Sequence, residues 1–231
     1  MSTLAILCAR ANPGRLPAKH HLEIDGLPVW HFGARAVLQS RAIPAVSTDD
    51  SKILADAVEM GLFPVRRPKR LASSTASIHG ALQHAVREYE TDAQCPGRVK
   101  LVAFVPANVP TVTGRVLRRC FSALRRSPGA TAVMTVREVS EHPGWMWKRA
   151  KSGALSRFGR ESVYRMQDLP KLYIATGTCA IVRRDVLMAC TDGRAFKWLG
   201  SRILGVLDPD ACEIHTQRDY LMAKAMVEDQ A

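Results

Sequence analysis

Aromatic residues are scarce in this sequence, only 6% of 231, and no two cysteines are spaced as C-x-x-C. Cys8, Cys95, Cys120, Cys179, Cys190 and Cys212 are scattered, four of them within apolar stretches. That excludes a regular disulfide framework or a cysteine zinc site and reads as buried thiols in a reducing compartment. Long hydrophobic runs are missing too. The early run Leu4 to Ala9 is too short to cross a membrane and lacks the basic lead-in and apolar length of a secretion signal, so a soluble, cytoplasmic protein is expected. No Walker loop and no G-x-G-x-x-G turn occurs, which leaves two common nucleotide folds unsupported. Acidic residues are the remaining shortage. With 21 Asp and Glu against 33 Lys and Arg, the net charge is +12 and the pI near 9.9, which favours an anionic partner without choosing one. Nucleic acid is not expected, because no aromatic-basic motif accompanies the charge.

What is present is enough apolar material, 47% of residues, for the core of a single domain spanning 1–231. Short apolar runs alternate with segments of helical period, the pattern of βα units around a mainly parallel sheet. Strands are predicted at 4–8, 43–47, 62–65, 101–105, 132–136, 176–182, 203–206 and 212–214. Helices are predicted at 28–40, 50–60, from Ser73-Ser74-Thr75 to about 90, and at 113–125, 184–190 and 217–227. The pattern breaks at about residues 140–172, where Pro143, Trp145, Trp147 and several basic residues indicate a hairpin or arm. Its tryptophans would gain burial against a second subunit, so a homodimer is expected.

The most informative segment follows the first strand: Ala9-Arg10-Ala11-Asn12-Pro13-Gly14-Arg15-Leu16-Pro17-Ala18-Lys19-His20. A loop there lies at the carboxyl end of the sheet, where open α/β folds bind ligands. Three cations in ten residues, stiffened by two prolines, suit the spread negative charge of a triphosphate.

This loop resembles the first motif of the cytidylyltransferases that make CMP-activated acidic sugars, the CMP-sialate and CMP-Kdo synthetases. Four further segments fall in that family's order: Ser47-Thr48-Asp49-Asp50; Arg67-Pro68 with Leu71 to Ser77; Tyr164 to Pro170; and Glu213-Ile214-His215-Thr216. The resemblance implies a three-layer α/β/α, Rossmann-like nucleotide-diphospho-sugar transferase fold with a dimerisation arm. It also implies transfer of CMP from CTP to an acidic sugar of nonulosonate or Kdo type. By the same resemblance Ala9, Arg10, Asn12, Arg15 and Lys19 would hold CTP, with Arg10 and Lys19 stabilising charge on the α-phosphate and the departing pyrophosphate. Arg67, Thr75 and Ser77 would hold base and ribose, and Asn108, Arg165 and Gln167 would meet the acceptor. Asn108, Glu213 and His215 would border Mg²⁺ or Mn²⁺.

The sequence departs from the family pattern at that metal site. Asn108 stands where an Asp is common, and Glu213 and His215 stand in the D-x-D-T segment; Gly14 and His20 replace a usual Lys and Asn. Such a donor set favours softer ions than Mg²⁺. Two alternatives therefore stay open: a cytidylyltransferase for a phosphorylated or phosphonate-bearing polyol, and a catalytically weak homologue that binds nucleotide or a protein partner. Local readings compete as well. Ser47–Asp50 also suits a strand exit with a helix cap, Asn108 also suits a turn between prolines, and the pair Glu213 and His215 also suits an ordinary surface.

Overall fold

The structure, a computed structural model, describes residues 2–11, 14–159 and 165–229. At its centre β1 (Thr3–Cys8) is buried along its whole length. Alternation of side chains divides it between two cores: Ala5 and Leu7 pack with Trp30, Val37, Leu117 and Phe121, whereas Leu4, Ile6 and Cys8 pack with Leu82, Val86 and Leu187. A strand covered on both faces has no solvated side, which explains its continuous apolar sequence.

The chain then forms a short hairpin, β2 (Glu23–Ile24) and β3 (Leu27–Pro28), around Asp25-Gly26. Both turn residues have positive φ, 50° and 70°, as the tightest hairpin turns require. Next come α1 (Val29–Gln39), β4 (Ile43–Thr48), α2 (Ser51–Glu59), β5 (Phe63–Arg66), α3 (Lys69–Ala72), α4 (Ile78–Thr91), β6 (Leu101–Pro106), α5 (Gly114–Arg126) and β7 (Ala132–Glu138). The second half holds β8 (Trp147–Arg149), β9 (Leu155–Arg157), β10 (Tyr173–Arg183), α6 (Arg184–Ala189), β11 (Ile203–Leu207) and α7 (Gln217–Glu228).

Seven strands make one sheet in the order β11-β7-β10-β6-β1-β4-β5. All neighbours run parallel except β10, which is antiparallel to both β6 and β7. Helices cover both faces, so the expected mainly parallel, Rossmann-like α/β fold is present. Register in β10 shifts between Ala175 and Ala180, and within that irregularity Gly177 has φ +74°. The glycine lets the strand bend there.

Some boundaries differ from those predicted. The helix expected from Ser73–Thr75 begins at Ile78, because 69–72 already form a separate turn of helix and the chain from Ser73 to Ser77 links the two. The strand expected at 212–214 does not form: Ile214 N–H donates to Asn108 O and Ile214 O is taken by side chains, so no neighbouring strand pairs with it. The arm is a two-stranded hairpin of β8 and β9, as expected, with all six of its strand residues exposed.

A third, smaller core brings the distant C-terminal segment to the first loop. Ile24 and Val29 pack with Cys212, Ile214 and Ala223, with Leu16 and Tyr220 against them. Among the described residues no helix is long and apolar enough to cross a membrane.

Candidate active site

The carboxyl ends of β1, β4, β5 and β6 open onto a cleft of about 430 Å³. Its first wall is the loop after β1. Ala9 N–H donates to Ser47 O (3.2 Å) and Ala11 N–H to Asp49 Oδ1 (2.9 Å), so the segment 47–49 ties this loop to the sheet. Asp50 separately caps α2 and bonds His21 at 2.7 Å. The family-like Ser47–Asp50 segment is thus accounted for by strand exit, cap and loop tether. Ala9 itself is buried against β4.

Arg10, Arg15 and Lys19 all line the cleft. Arg10 reaches across it, donating from Nη1 to Ser73 O at 2.8 Å. Lys19 is 6% exposed and donates from Nζ to Ile214 O at 2.8 Å. Burial pushes its ammonium below the ordinary lysine range; Glu213 pulls it back up, and Arg10 and Arg15 press it further down. An ammonium with one protein acceptor retains donors for an incoming anion. Glu213 is the one carboxylate in this wall among the described residues, so the cleft is strongly cationic. Asn12 lies outside the described residues.

His20, also in the wall, is buried and its Nδ1 lies 3.2 Å from Arg10 O. A carbonyl only accepts, so Nδ1 carries the proton and Nε2 is an acceptor. Burial, reinforced by the charge of Lys19, holds its pKa down at about 3. The unfolded chain takes up this proton below about 6.5, the folded one only near 3, so stability is lost as pH falls through that window, by about 1.4 kcal/mol per unit. Urea unfolding of His20→Asn is therefore expected to show about 2 kcal/mol less loss than wild type between pH 7 and pH 5. Equal losses would show that His20 is not held neutral.

Arg67 lies at the floor, 4% exposed, with Nε on Ser47 Oγ (3.1 Å) and Nη2 on Ser47 O (2.7 Å). It braces β4, and only the rest of its guanidinium faces the cleft. Ser77 is the N-cap residue of α4, yet its side chain makes no cap bond and lines the cleft beside the helix N-terminus. Such an end favours anions and polar groups. Thr75, expected to join it, is exposed and sits by Ser73 Oγ at 3.4 Å, while its neighbours Ser74 and Ala76 line the cleft instead.

On the far wall the structure brings together Asn108, Glu213 and His215. Asn108 Nδ2 donates to Ile214 O (2.9 Å) and Glu213 Oε1 (3.3 Å), and Glu213 Oε1 lies 3.1 Å from His215 Nε2. Asp219 fixes this segment by accepting the His215 and Thr216 N–H groups, which outweigh its burial and lower its pKa. One carboxylate, one imidazole and one amide oxygen could hold a divalent ion that also takes phosphate oxygens, and the imidazole favours Mn²⁺ over Mg²⁺ there. No group of three His, Cys, Asp or Glu side chains forms a cage among the described residues.

Arg165 and Gln167 are not brought to this cleft. Both are exposed, and Arg165 Nε pairs with Asp168 at 2.8 Å within its own turn. One wall residue, Phe104, carries no sequence signal for a site and reads as central strand, and behind the wall Gly177, equally without a signal, lies against the Glu213 carboxylate.

These elements define an open, mainly parallel α/β domain with a cationic cleft at its strand ends. The chain belongs to the cytidylyltransferase family, whose profile matches residues 4–186. Relatives include the N-acylneuraminate cytidylyltransferases of Streptococcus agalactiae serotype III (strain NEM316) and serotype Ia (strain A909). Each is 23% identical over 193 residues, covering 81% of this chain and 45% of the relative. The chain thus spans less than half the length of these curated relatives. Among solved structures, CMP:2-keto-3-deoxy-manno-octonic acid synthetase complexed with CTP superposes with a TM-score of 0.71 at 16% identity, over 100% of both chains. The 4-diphosphocytidyl-2C-methyl-D-erythritol synthase of Anaerococcus prevotii gives 0.63 at 14% identity, over 98% of both. At these identities the likeness is one of fold.

Proposed function

We propose that the chain transfers CMP from CTP to an acidic acceptor of the nonulosonate or Kdo type, releasing pyrophosphate. The observation that carries this reading is the convergence of Arg10, Arg15 and Lys19 on one cleft with a single acid in its wall among the described residues. An acceptor oxygen bonds the α-phosphorus, the bond between the α-phosphorus and the α,β-bridging oxygen breaks, pyrophosphate leaves with that oxygen and its electron pair, and the acceptor's hydroxyl proton passes to water. Little covalent work falls to the protein in phosphoryl transfer, so positioning and charge neutralisation dominate. Arg10 and Lys19 sit to receive the charge that builds on the phosphates, and Arg15 adds to it. Ser77 and the start of α4 offer groups to the nucleoside. Asn108, Glu213 and His215 would hold Mg²⁺ or Mn²⁺ together with the phosphates, and the ion when bound supplies further charge neutralisation.

A second reading keeps the chemistry and takes a phosphorylated polyol as acceptor. The fold likeness to the erythritol-type synthase favours it. We further propose a homodimer joined through the arm, where Trp145, Met146, Trp147, Leu155 and Phe158 are all exposed.

The test is thermal-shift binding of CTP, UTP, ATP and GTP with and without Mg²⁺ and Mn²⁺, since a ligand that binds only the folded state raises the melting temperature. A shift selective for CTP, followed by ion-dependent pyrophosphate release with an acidic acceptor, is the expected result. No shift with any nucleotide removes this function and leaves only a homologue that binds a protein partner. Sedimentation of the same sample is expected to show a dimer that Trp147→Asp with Leu155→Asp converts to a monomer; a wild-type monomer ends the dimer proposal.

A further inference from the structure

β11 stands at one end of the sheet: it pairs with β7 alone, and its outer side carries no neighbouring strand. Among the described residues no hydrogen bond beyond that ladder involves the backbone of 203–207, so the outward N–H and C=O groups are free to pair with another chain. Helix α5 lies beside this edge. Between them runs a groove of about 540 Å³, lined on the strand side by Gly205, Val206 and Leu207. A further hollow between 127–130 and 201–204 continues it to the start of the strand.

The helix side of the groove is arginine. Arg115, Arg118, Arg119 and Arg126 line it, all exposed, and Arg202 lines the hollow that continues it. Helix α5 contains no acidic residue, and no carboxylate lines the groove or the hollow among the described residues. Arg118 donates to Gln39 O, and Arg119 acts on the buried carboxylate of Asp208, whereas Arg115 and Arg126 make no ion pair among the described residues. Arg115 also sits in the first helical turn, at the positive end of the dipole, with like charges three and four residues on. The arrangement lowers helix stability, so the helix itself does not account for it.

A row of cations beside a strand edge keeps copies of a chain of charge +12 from pairing there. The same row admits an acidic strand. Guanidinium forks suit carboxylates, and an added strand would present every second side chain to the α5 arginines. Its other side chains would lie beside Ile203 and Leu207, which alternate with the core-packed Leu204 and Val206 and are 38% and 52% exposed. Nucleic acid fits less well: no aromatic side chain lines the groove or the hollow to stack a base, and a phosphate backbone has no N–H row to match the strand edge.

We propose that β11 and the arginine face of α5 dock an acidic partner protein, which adds an extended segment to the sheet edge with alternate carboxylates on the arginines. The surface shares no lining residue with the cationic cleft and does not depend on the cytidylyl-transfer reading.

The probe is a tagged, end-capped heptapeptide of alternating glutamate and valine, titrated with the protein by fluorescence anisotropy with and without saturating CTP and Mn²⁺. Binding is expected in both titrations and should weaken about tenfold in Arg115→Glu combined with Arg126→Glu. Neither arginine has a protein partner, so this variant should keep the wild-type melting temperature and the wild-type response to CTP. A second comparison needs no variant. N-methylating two adjacent central residues of the peptide keeps its charge and side chains but removes an N–H from the ladder in either register, and should weaken binding about fivefold. A pentanucleotide of equal charge is expected to bind more weakly than the peptide. No binding of the peptide, its displacement by CTP, equal binding in the charge-reversed variant, or equal binding of the methylated peptide would each overturn the inference. Tighter binding of the pentanucleotide, lost in the same variant, would overturn it in favour of a nucleic-acid surface.

Discussion

Arg10→Ala is expected to reduce kcat/KM for CTP-dependent pyrophosphate release by about 10²–10³-fold, the usual loss when one preorganised donor to developing charge is removed. The reasoning is geometric. Arg10 follows β1 directly, its loop is pinned by Ala9 N–H on Ser47 O and Ala11 N–H on Asp49, and its guanidinium spans the cleft to Ser73 O. It is therefore held before any ligand arrives, which is the condition under which a cation lowers a barrier rather than merely attracting substrate. The folded state loses one hydrogen bond in this variant, about 1 kcal/mol, so the protein should remain folded and assayable. Arg10→Lys keeps the charge but not the planar fork and should fall between the two. Turnover at the wild-type rate in Arg10→Ala would remove the phosphate site from the first loop.

Gly177→Ala carries the second large effect, through two separate costs. An alanine at φ +74° is strained by about 1 kcal/mol, and its Cβ would lie 2.5 Å from Glu213 Oε2. Glu213 must move, and with it the contacts to Asn108 and His215. Displacements of about 1 Å at a reacting centre cost roughly 10²-fold. The variant should therefore lose about that factor in kcat/KM, with a weaker response to Mn²⁺ and lowered stability in urea. A variant that is less stable but responds to Mn²⁺ like wild type would show that Glu213 takes no part in the ion site.

The sheet was legible because β1, β4 and β6 are buried on both faces and so read as short apolar runs, and because α1, α2 and α5 repeat their apolar positions at helical spacing. The start of α4 was not, since Ser73, Ser74, Thr75 and Ser77 are all competent caps and only the separate turn at 69–72 selects the last of them. The cations of the first loop were found from type and spacing. Arg67 was named from the resemblance and does line the cleft, but its commitment to Ser47 depends on the β4–β5 pairing and has no local signature. Arg165 and Gln167 rested on a motif alone, and among the described residues they are not part of the cleft wall.

Lys19 and Ile214, joined by one hydrogen bond across the cleft, are 195 residues apart in sequence. Contacts of that separation are slow to form, because most of the chain must be ordered before its two ends meet. The sheet is therefore expected to assemble before the pocket it serves, with the far wall completed only when residues 212–216 dock on the β2–β3 hairpin. In refolding from urea, regain of helical circular dichroism should precede regain of nucleotide affinity, which makes ligand binding a reporter of the last folding event.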